Sequence, residues 1–154
     1  MKPASKAIRI QTEQTSQKEH STPLYLTSSF TFDSAEEMRA AFADENDNNI
    51  YSRFSNPNSQ EFIDKMCALE GTEDGYATAS GMSAVFASFM AFLKSGDHLL
   101  SASSIFGSTH TVISKFLPKW GISYSYADIN KPETFEQLIR PETKMIFVET
   151  PSNP

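Results

Sequence analysis

The sequence of 154 residues has one cysteine, no long apolar run and no excess of basic charge. Cys67 alone cannot form an intrachain disulfide, which fits a reducing compartment. No stretch approaches the roughly 18 apolar residues of a membrane span, and the opening residues lack the apolar core of a signal peptide. The formal net charge of −6 argues against a nucleic-acid partner. We therefore expect a soluble, globular protein of the cytoplasm.

Several common functional motifs are also missing. The three histidines, His20, His98 and His110, show no ligand spacing with each other or with Cys67, so no metal site is predicted. There is no G-x-G-x-x-G and no G-x-x-x-x-G-K-[ST], which argues against dinucleotide and nucleoside-triphosphate binding. The absence of G-x-S-x-G removes support for a hydrolase nucleophile elbow.

The pattern becomes regular after residue 75. Six apolar residues from Met82 to Leu93 keep helical spacing without an error, and Met145-Ile146-Phe147-Val148 is typical of a strand covered on both faces. The pattern predicts strands at 76–79, 98–101, 122–126 and 145–148, with helices at 82–93, 109–117 and 130–139 between them. This order predicts an α/β fold, part of a doubly wound, mostly parallel sheet.

The first 57 residues are predicted to form an extended N-terminal arm with one short helix. Ser34 and Glu37 form a capping-box pattern for a helix through Phe42. A second helix is predicted from Asn58 to a left-handed C-cap at Gly71, and it begins a domain over 58–154. Because the chain stops directly after a predicted buried strand, we expect that domain to be truncated and the chain to be the first part of a longer protein.

Ser80-Gly81-Met82 joins a predicted strand to the first turn of the most regular helix. Free backbone N–H groups at a helix start, with the helix dipole behind them, suit a phosphate. Gly81 has no Cβ, so an anion can approach the backbone closely. The alternative is a capping serine and a turn glycine without a ligand.

Tyr51-Ser52-Arg53 is a second candidate. The Arg53 guanidinium offers a planar set of donors to phosphate or carboxylate, and the Tyr51 hydroxyl adds another donor. The alternative is an arginine paired with a nearby acid and a tyrosine packed on the surface.

Two further candidates follow predicted strands, namely Phe106-Gly107-Ser108-Thr109 and Glu149-Thr150-Pro151-Ser152-Asn153-Pro154. Ligands of open α/β sheets collect outside the carboxyl ends of the strands. The alternative is turn chemistry, because Pro, Asn, Gly and Ser are turn formers.

Taken together, these segments resemble the Cys/Met-metabolism family of pyridoxal-phosphate enzymes, a branch of fold type I. The resemblance runs from about residue 22 to residue 154 and covers six motifs in family order, at 51–57, 69–71, 80–84, 96–98, 106–109 and 149–154. It implies a pyridoxal 5'-phosphate cofactor and an N-terminal part of the large cofactor-binding α/β domain.

The resemblance also implies roles for individual residues. The turn formed by Ser80, Gly81 and Met82 would give backbone donors to the cofactor phosphate. The ring of Phe106 would stack on the pyridine, and Asn153 would approach the cofactor's phenolic oxygen.

Three more roles follow from the same resemblance. Tyr51 and Arg53 would reach across a dimer interface to the phosphate of the neighbouring subunit. Glu149 is assigned to substrate binding.

Most family members carry a tyrosine where this chain has Phe106, which lacks the hydroxyl that lyase members use near the amino group. The Phe-Gly-Ser-Thr form is similar to O-succinylhomoserine sulfhydrylases, transferases that make homocysteine from O-succinylhomoserine and sulfide in methionine and cysteine biosynthesis. The alternatives are a cystathionine γ-synthase or γ-lyase of the transsulfuration type, or a non-catalytic truncated chain that binds only phosphate or partner chains.

No catalytic residue is predicted within this chain. In the family, the Schiff-base lysine, the aspartate at the pyridine nitrogen and the arginine for the substrate carboxylate all lie beyond residue 154. None of the nine lysines present matches the lysine motif, so the chain alone is expected to be inactive. The resemblance implies a homotetramer, a dimer of dimers, that acts on a small amino-acid substrate.

Overall fold

A computed structural model describes residues 1–152, and the chain divides into two compact units. The first unit is Met1–Ala77 and the second is Thr78–Pro154. Across the described residues, no helix is long and apolar enough to cross a membrane.

The first unit carries three helices, α1 (Pro3–Arg9), α2 (Ala35–Phe42) and α3 (Pro57–Glu70). The start of α2 is confirmed, because Ser34 Oγ accepts a hydrogen bond from the Glu37 N–H at 3.1 Å. The Glu37 carboxylate turns back and accepts from the Asp33 N–H at 2.7 Å. The capping pattern thus forms as predicted, with the glutamate bonded one residue before the cap.

α3 begins one residue before its predicted start at Asn58. The cap is Asn56, whose Oδ1 accepts from the Asn58 N–H at 2.9 Å, and Pro57 occupies the first turn, where a missing N–H is harmless. The Asn58 side chain instead bonds to the extended segment that precedes α2. At the other end Gly71 has φ 73°, which confirms the left-handed C-cap.

Glu61 of α3 ties the N-terminal residues to this helix. Its carboxylate accepts from the Thr12 N–H at 3.0 Å, from Lys65 Nζ at 2.5 Å and from the Thr22 hydroxyl. Burial acts to raise the pKa of Glu61, but the hydrogen bonds from Lys65, Thr22 and Thr12 prevail and lower it to about 2.

The second unit is built on a parallel sheet with strands β1 (His98–Ala102), β2 (Ser123–Ala127) and β3 (Thr143–Phe147) in the order β2-β1-β3. The remaining elements are α4 (Gly81–Phe92), α5 (Gly107–Thr111), a π-helical turn (Val112–Phe116), a 3-10 turn (Leu117–Trp120) and α6 (Glu133–Leu138). The predicted parallel α/β fold is confirmed.

The core of this unit lies between the central strand and the helices that follow and precede it. β1 is buried along its whole length. The buried cluster consists of Phe89, Leu93, Leu99, Ala102, Ile105, Ile113, Leu117 and Ile122. Phe147 packs edge-on against Phe89 with the ring centroids 5.1 Å apart. Of the six apolar positions from Met82 to Leu93, only Phe89 and Leu93 are buried, whereas Phe86 and Met90 are exposed.

The predicted strand at 76–79 is wrong. These residues form no ladder with any strand in the described part of the chain, and Tyr76 is 81% exposed. An extended segment becomes a strand only when a neighbour satisfies its backbone groups. No described strand lies beside this segment to do so.

Three other element predictions need correction. The helix predicted at 109–117 changes from α to π and then to 3-10 geometry, because Pro118 has no N–H to continue the α pattern. The helix predicted at 130–139 is shorter, Glu133–Leu138, because Pro132 disfavours helical geometry at the residue before it. β3 is an edge strand with alternating burial, and Ile146 is 51% exposed, so it is not covered on both faces.

Candidate functional site

The strand order puts a topological switch point between β1 and β3. From β1 the chain passes to β2 on one side, and it then returns across β1 to β3 on the other. The loops that leave the carboxyl ends of β1 and β3 therefore lie at the same edge of the sheet, where ligands of open α/β sheets bind. Phe106 follows β1 and Glu149 follows β3, so two predicted site segments flank this point.

Glu149 connects the two loops. Its Oε2 accepts a hydrogen bond from the Phe106 N–H at 2.9 Å, and its Oε1 accepts from the Thr109 hydroxyl at 3.3 Å. Thr109 is buried and Glu149 is half-buried. The Phe106 side chain nevertheless stays 43% exposed, so its ring remains available for contact.

The start of α4 carries the features expected of a phosphate site. Ser80 caps the helix, because its Oγ accepts from the Ser83 N–H at 3.1 Å. The N–H groups of Gly81 and Met82 have no acceptor among residues 1–152. A Cβ added at Gly81 would meet nothing within 4 Å, so the space beside this turn is open. The serine cap that the alternative interpretation requires is therefore present. It leaves the N–H groups of Gly81 and Met82 without an acceptor in the described residues, and these two donors fit a phosphate.

This helix start lies against the loop after β1. Met82 Sδ is 3.9 Å from the Thr109 hydroxyl, and the same hydroxyl contacts Glu149. The structure therefore brings together the turn at 80–82, Phe106 and Glu149 in one region of the second unit.

Tyr51 and Arg53 lie in the first unit, where Tyr51 forms an antiparallel bridge with Ser29. The Arg53 guanidinium carbon lies 4.6 Å from the Tyr51 ring centroid and 5.1 Å from that of Phe54. Buried Asn56 holds the loop, because its Nδ2 donates to Ser52 Oγ at 3.0 Å and to the carbonyl of an earlier residue.

Arg53 is not paired with an acid anywhere in residues 1–152. Two acids of the preceding segment pair with Arg39 instead, Glu36 of α2 at 2.8 Å and Glu45 of the following loop at 2.6 Å. The alternative of a surface ion pair for Arg53 is therefore not observed among the described residues, and an exposed guanidinium in contact with two aromatic rings takes its place.

The remaining predictions fall outside this region. Asn153 lies outside the described residues. Cys67 is half-buried on α3. In the described part of the chain, no group of three His, Cys, Asp or Glu side chains is placed to hold a metal ion.

Two residues of the site were not singled out from the sequence. Thr109 lies within a recognised motif, and its spacing of three from Phe106 at a helix start is the signal that could have identified it as a partner. Phe54 follows Arg53 directly, and an aromatic residue beside an arginine was the available signal.

Comparison with known proteins identifies the family. The profile described as "Cys/Met metabolism PLP-dependent enzyme" matches residues 4–154. The chain belongs to the Cys/Met-metabolism family of enzymes, whose cofactor is pyridoxal phosphate, and its fold is the corresponding part of fold type I.

Individual relatives agree with this assignment. An O-succinylhomoserine sulfhydrylase of Pseudomonas aeruginosa is 42% identical over 148 residues, covering 96% of this chain and 37% of the relative. An L-methionine gamma-lyase of Porphyromonas gingivalis is 38% identical over 133 residues, covering 86% of this chain and 33% of the relative.

A solved structure from Campylobacter jejuni, which contains N'-pyridoxyl-lysine-5'-monophosphate, matches with a TM-score of 0.93 and 32% identity. The match covers 100% of this chain and 38% of that one. The chain thus spans little more than a third of the length of the relatives that it matches.

Proposed function

We propose that this chain supplies the phosphate-binding turn and the stacking ring of a pyridoxal-phosphate enzyme. The observation that carries the proposal is the start of α4, where the unpaired N–H groups of Gly81 and Met82 adjoin open space. Ser80 caps the same turn, and the cofactor phosphate would accept from the two free donors. The exposed ring of Phe106 would lie on the pyridine face.

The remaining cofactor contacts belong to the same proposal. The Tyr51 hydroxyl and the Arg53 guanidinium would bind the phosphate of a neighbouring subunit, and the absence of an acid partner for Arg53 within residues 1–152 supports this role. Asn153 would contact the phenolic oxygen of the cofactor. Glu149 is considered separately below, because both of its carboxylate oxygens already have protein donors.

The reaction that we propose for the whole protein is γ-replacement on an O-acylhomoserine. O-succinylhomoserine and sulfide would give homocysteine and succinate. When bound, the cofactor supplies an electron sink for negative charge that develops on the substrate. Phe106 presents a ring without a hydroxyl, so this chain adds no phenolic acid or base beside the reacting amino group. The similarity to a sulfhydrylase of Pseudomonas aeruginosa supports this choice.

Elimination is the second candidate. The relative from Porphyromonas gingivalis is described as an L-methionine gamma-lyase, and it matches 86% of this chain. A cystathionine γ-synthase or γ-lyase activity belongs to the same group of alternatives. A non-catalytic chain that binds only phosphate or partner chains is the third.

A product assay on the whole protein separates these candidates. O-succinylhomoserine would be supplied with and without sulfide, and in a separate reaction with cysteine, and homocysteine and 2-oxobutyrate would be measured together. We expect homocysteine to dominate when sulfide is present. Dominant 2-oxobutyrate under both conditions would indicate a lyase, turnover that requires cysteine would indicate a γ-synthase, and no turnover of a cofactor-loaded protein would support the non-catalytic alternative.

The organisation of the whole protein is part of the same proposal. Residues 1–57 would form the arm of a subunit, 58–154 would begin the large cofactor-binding domain, and the subunits would assemble as a cytoplasmic dimer of dimers. Leu24, Leu26 and Phe54 in the arm are each at least 70% exposed. Apolar side chains exposed to this degree support a partner surface for the arm.

A further inference from the structure

Glu149 is placed to hold another residue rather than a ligand. Its Oε2 accepts from the Phe106 N–H at 2.9 Å and its Oε1 accepts from the Thr109 hydroxyl at 3.3 Å. These two donors lie three residues apart on the loop after β1, whereas Glu149 follows β3. The carboxylate therefore spans the switch point and fixes one loop to the other.

The surroundings of Thr109 and Phe106 favour this connection. Thr109 is 1% exposed, so its hydroxyl has little access to water, and its single proton can go only to Glu149 Oε1 or to the weaker acceptor Met82 Sδ. Hydrogen bonds to a charged acceptor are stronger than those between neutral groups. The Phe106 backbone is held at its N–H while its side chain remains 43% exposed.

We infer that Glu149 is a positioning residue that fixes the orientation of the Phe106 ring. Its role in catalysis rests on the proposed function of that ring, whereas the connection itself rests only on the contacts above. This assignment replaces a direct contact between Glu149 and the substrate. Each oxygen of this carboxylate already accepts from the protein, one from the Phe106 N–H and the other from the Thr109 hydroxyl.

The first test uses the whole protein without cofactor and measures amide hydrogen exchange at Phe106. Glu149→Ala should speed exchange by about tenfold to a hundredfold, the range for loss of a hydrogen bond to a charged group. Glu149→Gln keeps an acceptor for the Phe106 N–H and an amide group that can donate to Thr109 Oγ1, so it should restore most of the protection. Glu136→Gln, at an exposed acid of α6, is the matched control and should change nothing.

The second readout is the spectrum of the cofactor bound to the whole protein. If Glu149 orients the ring, Glu149→Ala should change the induced circular dichroism of bound pyridoxal phosphate, and Thr109→Val should change it in the same direction. If Glu149 contacted the substrate directly, Glu149→Ala would instead raise the KM for the amino acid and leave both the exchange rate and the spectrum unchanged. That result would overturn the inference.

The outcomes separate this inference from the proposed function. Faster exchange at Phe106 and an altered spectrum in a protein that turns over no O-acylhomoserine would refute the reaction and support the positioning role. Unchanged exchange would refute the positioning role whatever the reaction is. If Glu149→Ala does not fold, Thr109→Val still tests the second hydrogen bond by both readouts.

Discussion

Phe106 is the residue on which the choice between replacement and elimination depends. Phe106→Tyr in the whole protein should keep cofactor binding, because the ring face is unchanged. The added hydroxyl introduces a proton donor and acceptor near the amino group of the substrate. We expect the ratio of 2-oxobutyrate to homocysteine to rise, measured with O-succinylhomoserine and sulfide. An unchanged ratio would remove Phe106 from the specificity argument.

Gly81 allows folding and phosphate binding to be tested separately. A Cβ at this position meets no protein atom within 4 Å, and the residue opens α4 without positive φ. Gly81→Ala should therefore change the free energy of unfolding by no more than about 1 kcal/mol. It should weaken pyridoxal-phosphate binding by about tenfold or more, because a methyl group would enter the space proposed for the anion.

The matched control for this prediction is Gly107→Ala, which also adds a methyl group in open space at a helix start. Cofactor titration of both variants provides the comparison. Equal affinities for the two variants would contradict a phosphate site at Gly81.

The aromatic contacts of Arg53 give a graded prediction. Arg53→Ala should weaken cofactor binding about ten- to a hundredfold, through loss of a charge-assisted hydrogen bond. Phe54→Leu removes one of the two rings beside the guanidinium, a contact worth about 0.5–1 kcal/mol at an exposed site, and should weaken binding about two- to fivefold. Equilibrium titration of the whole protein measures both effects. If Phe54→Leu weakened cofactor binding as much as Arg53→Ala, the Phe54 ring itself would contact the ligand.

The sequence could identify these residues because the chemistry of each is local. Gly81 and Arg53 belong to short motifs whose residue types suit a phosphate, with a turn and an ion pair as the open alternatives. The partnership of Glu149 with Phe106 could not be read in this way, because the two are 43 residues apart and meet only through the register of β1 with β3. For Arg53 the sequence left an ion pair with a nearby acid as an alternative. Only the structure shows that Glu36 and Glu45 pair with Arg39 instead.

At the scale of single elements, the amino end of β1 carries a buried polar cluster. His98 is fully buried, its Nδ1 lies 2.8 Å from Thr143 Oγ1, and its Nε2 lies 3.0 Å from both Ser125 Oγ and Arg140 Nη2. Arg140 can only donate, so Nε2 is an acceptor and the ring is neutral. Burial lowers the pKa of His98, Arg140 lowers it further, and Glu142 acts in the opposite direction.

This cluster predicts acid sensitivity. Because the folded pKa of His98 lies below its ordinary value of about 6.5, the unfolded chain binds more protons than the folded one at mildly acidic pH. The contribution of neutral His98 to the free energy of unfolding is therefore present above about pH 6.5 and is lost as the pH falls below that value. Thermal unfolding between pH 7.5 and pH 5 should show a smaller decline for His98→Gln than for the unchanged chain. The exposed His20→Gln is the control, and equal declines for the two variants would contradict the prediction.

Elements were predicted well where their causes are local. The capping residues of α2, the left-handed glycine after α3 and the apolar spacing of α4 all act within a few residues. The segment 76–79 failed because a strand depends on its neighbour. The helix predicted at 109–117 was wrong in its geometry because Pro118 changes the hydrogen-bond pattern within an otherwise regular apolar period.

At the scale of the whole molecule, the two units differ in how much they bury. The second unit has a continuous core around Phe89 and Leu99, whereas in residues 1–77 only Ala41 and Asn56 are buried. A segment with so little buried apolar surface gains little stability of its own. This contrast supports the proposal that the arm packs on further protein surface in the assembled enzyme.

The central claim is that the start of α4 binds the phosphate of pyridoxal phosphate. A crystal structure of the whole protein with its cofactor tests it most directly, through the distances from the phosphate oxygens to the backbone nitrogens of Gly81 and Met82. We predict both distances at about 2.7–3.2 Å, the range of an N–H···O hydrogen bond, with the Phe106 ring on the pyridine face. A phosphate bound by other groups, with the Gly81 and Met82 nitrogens hydrogen-bonded only to water, would contradict the account.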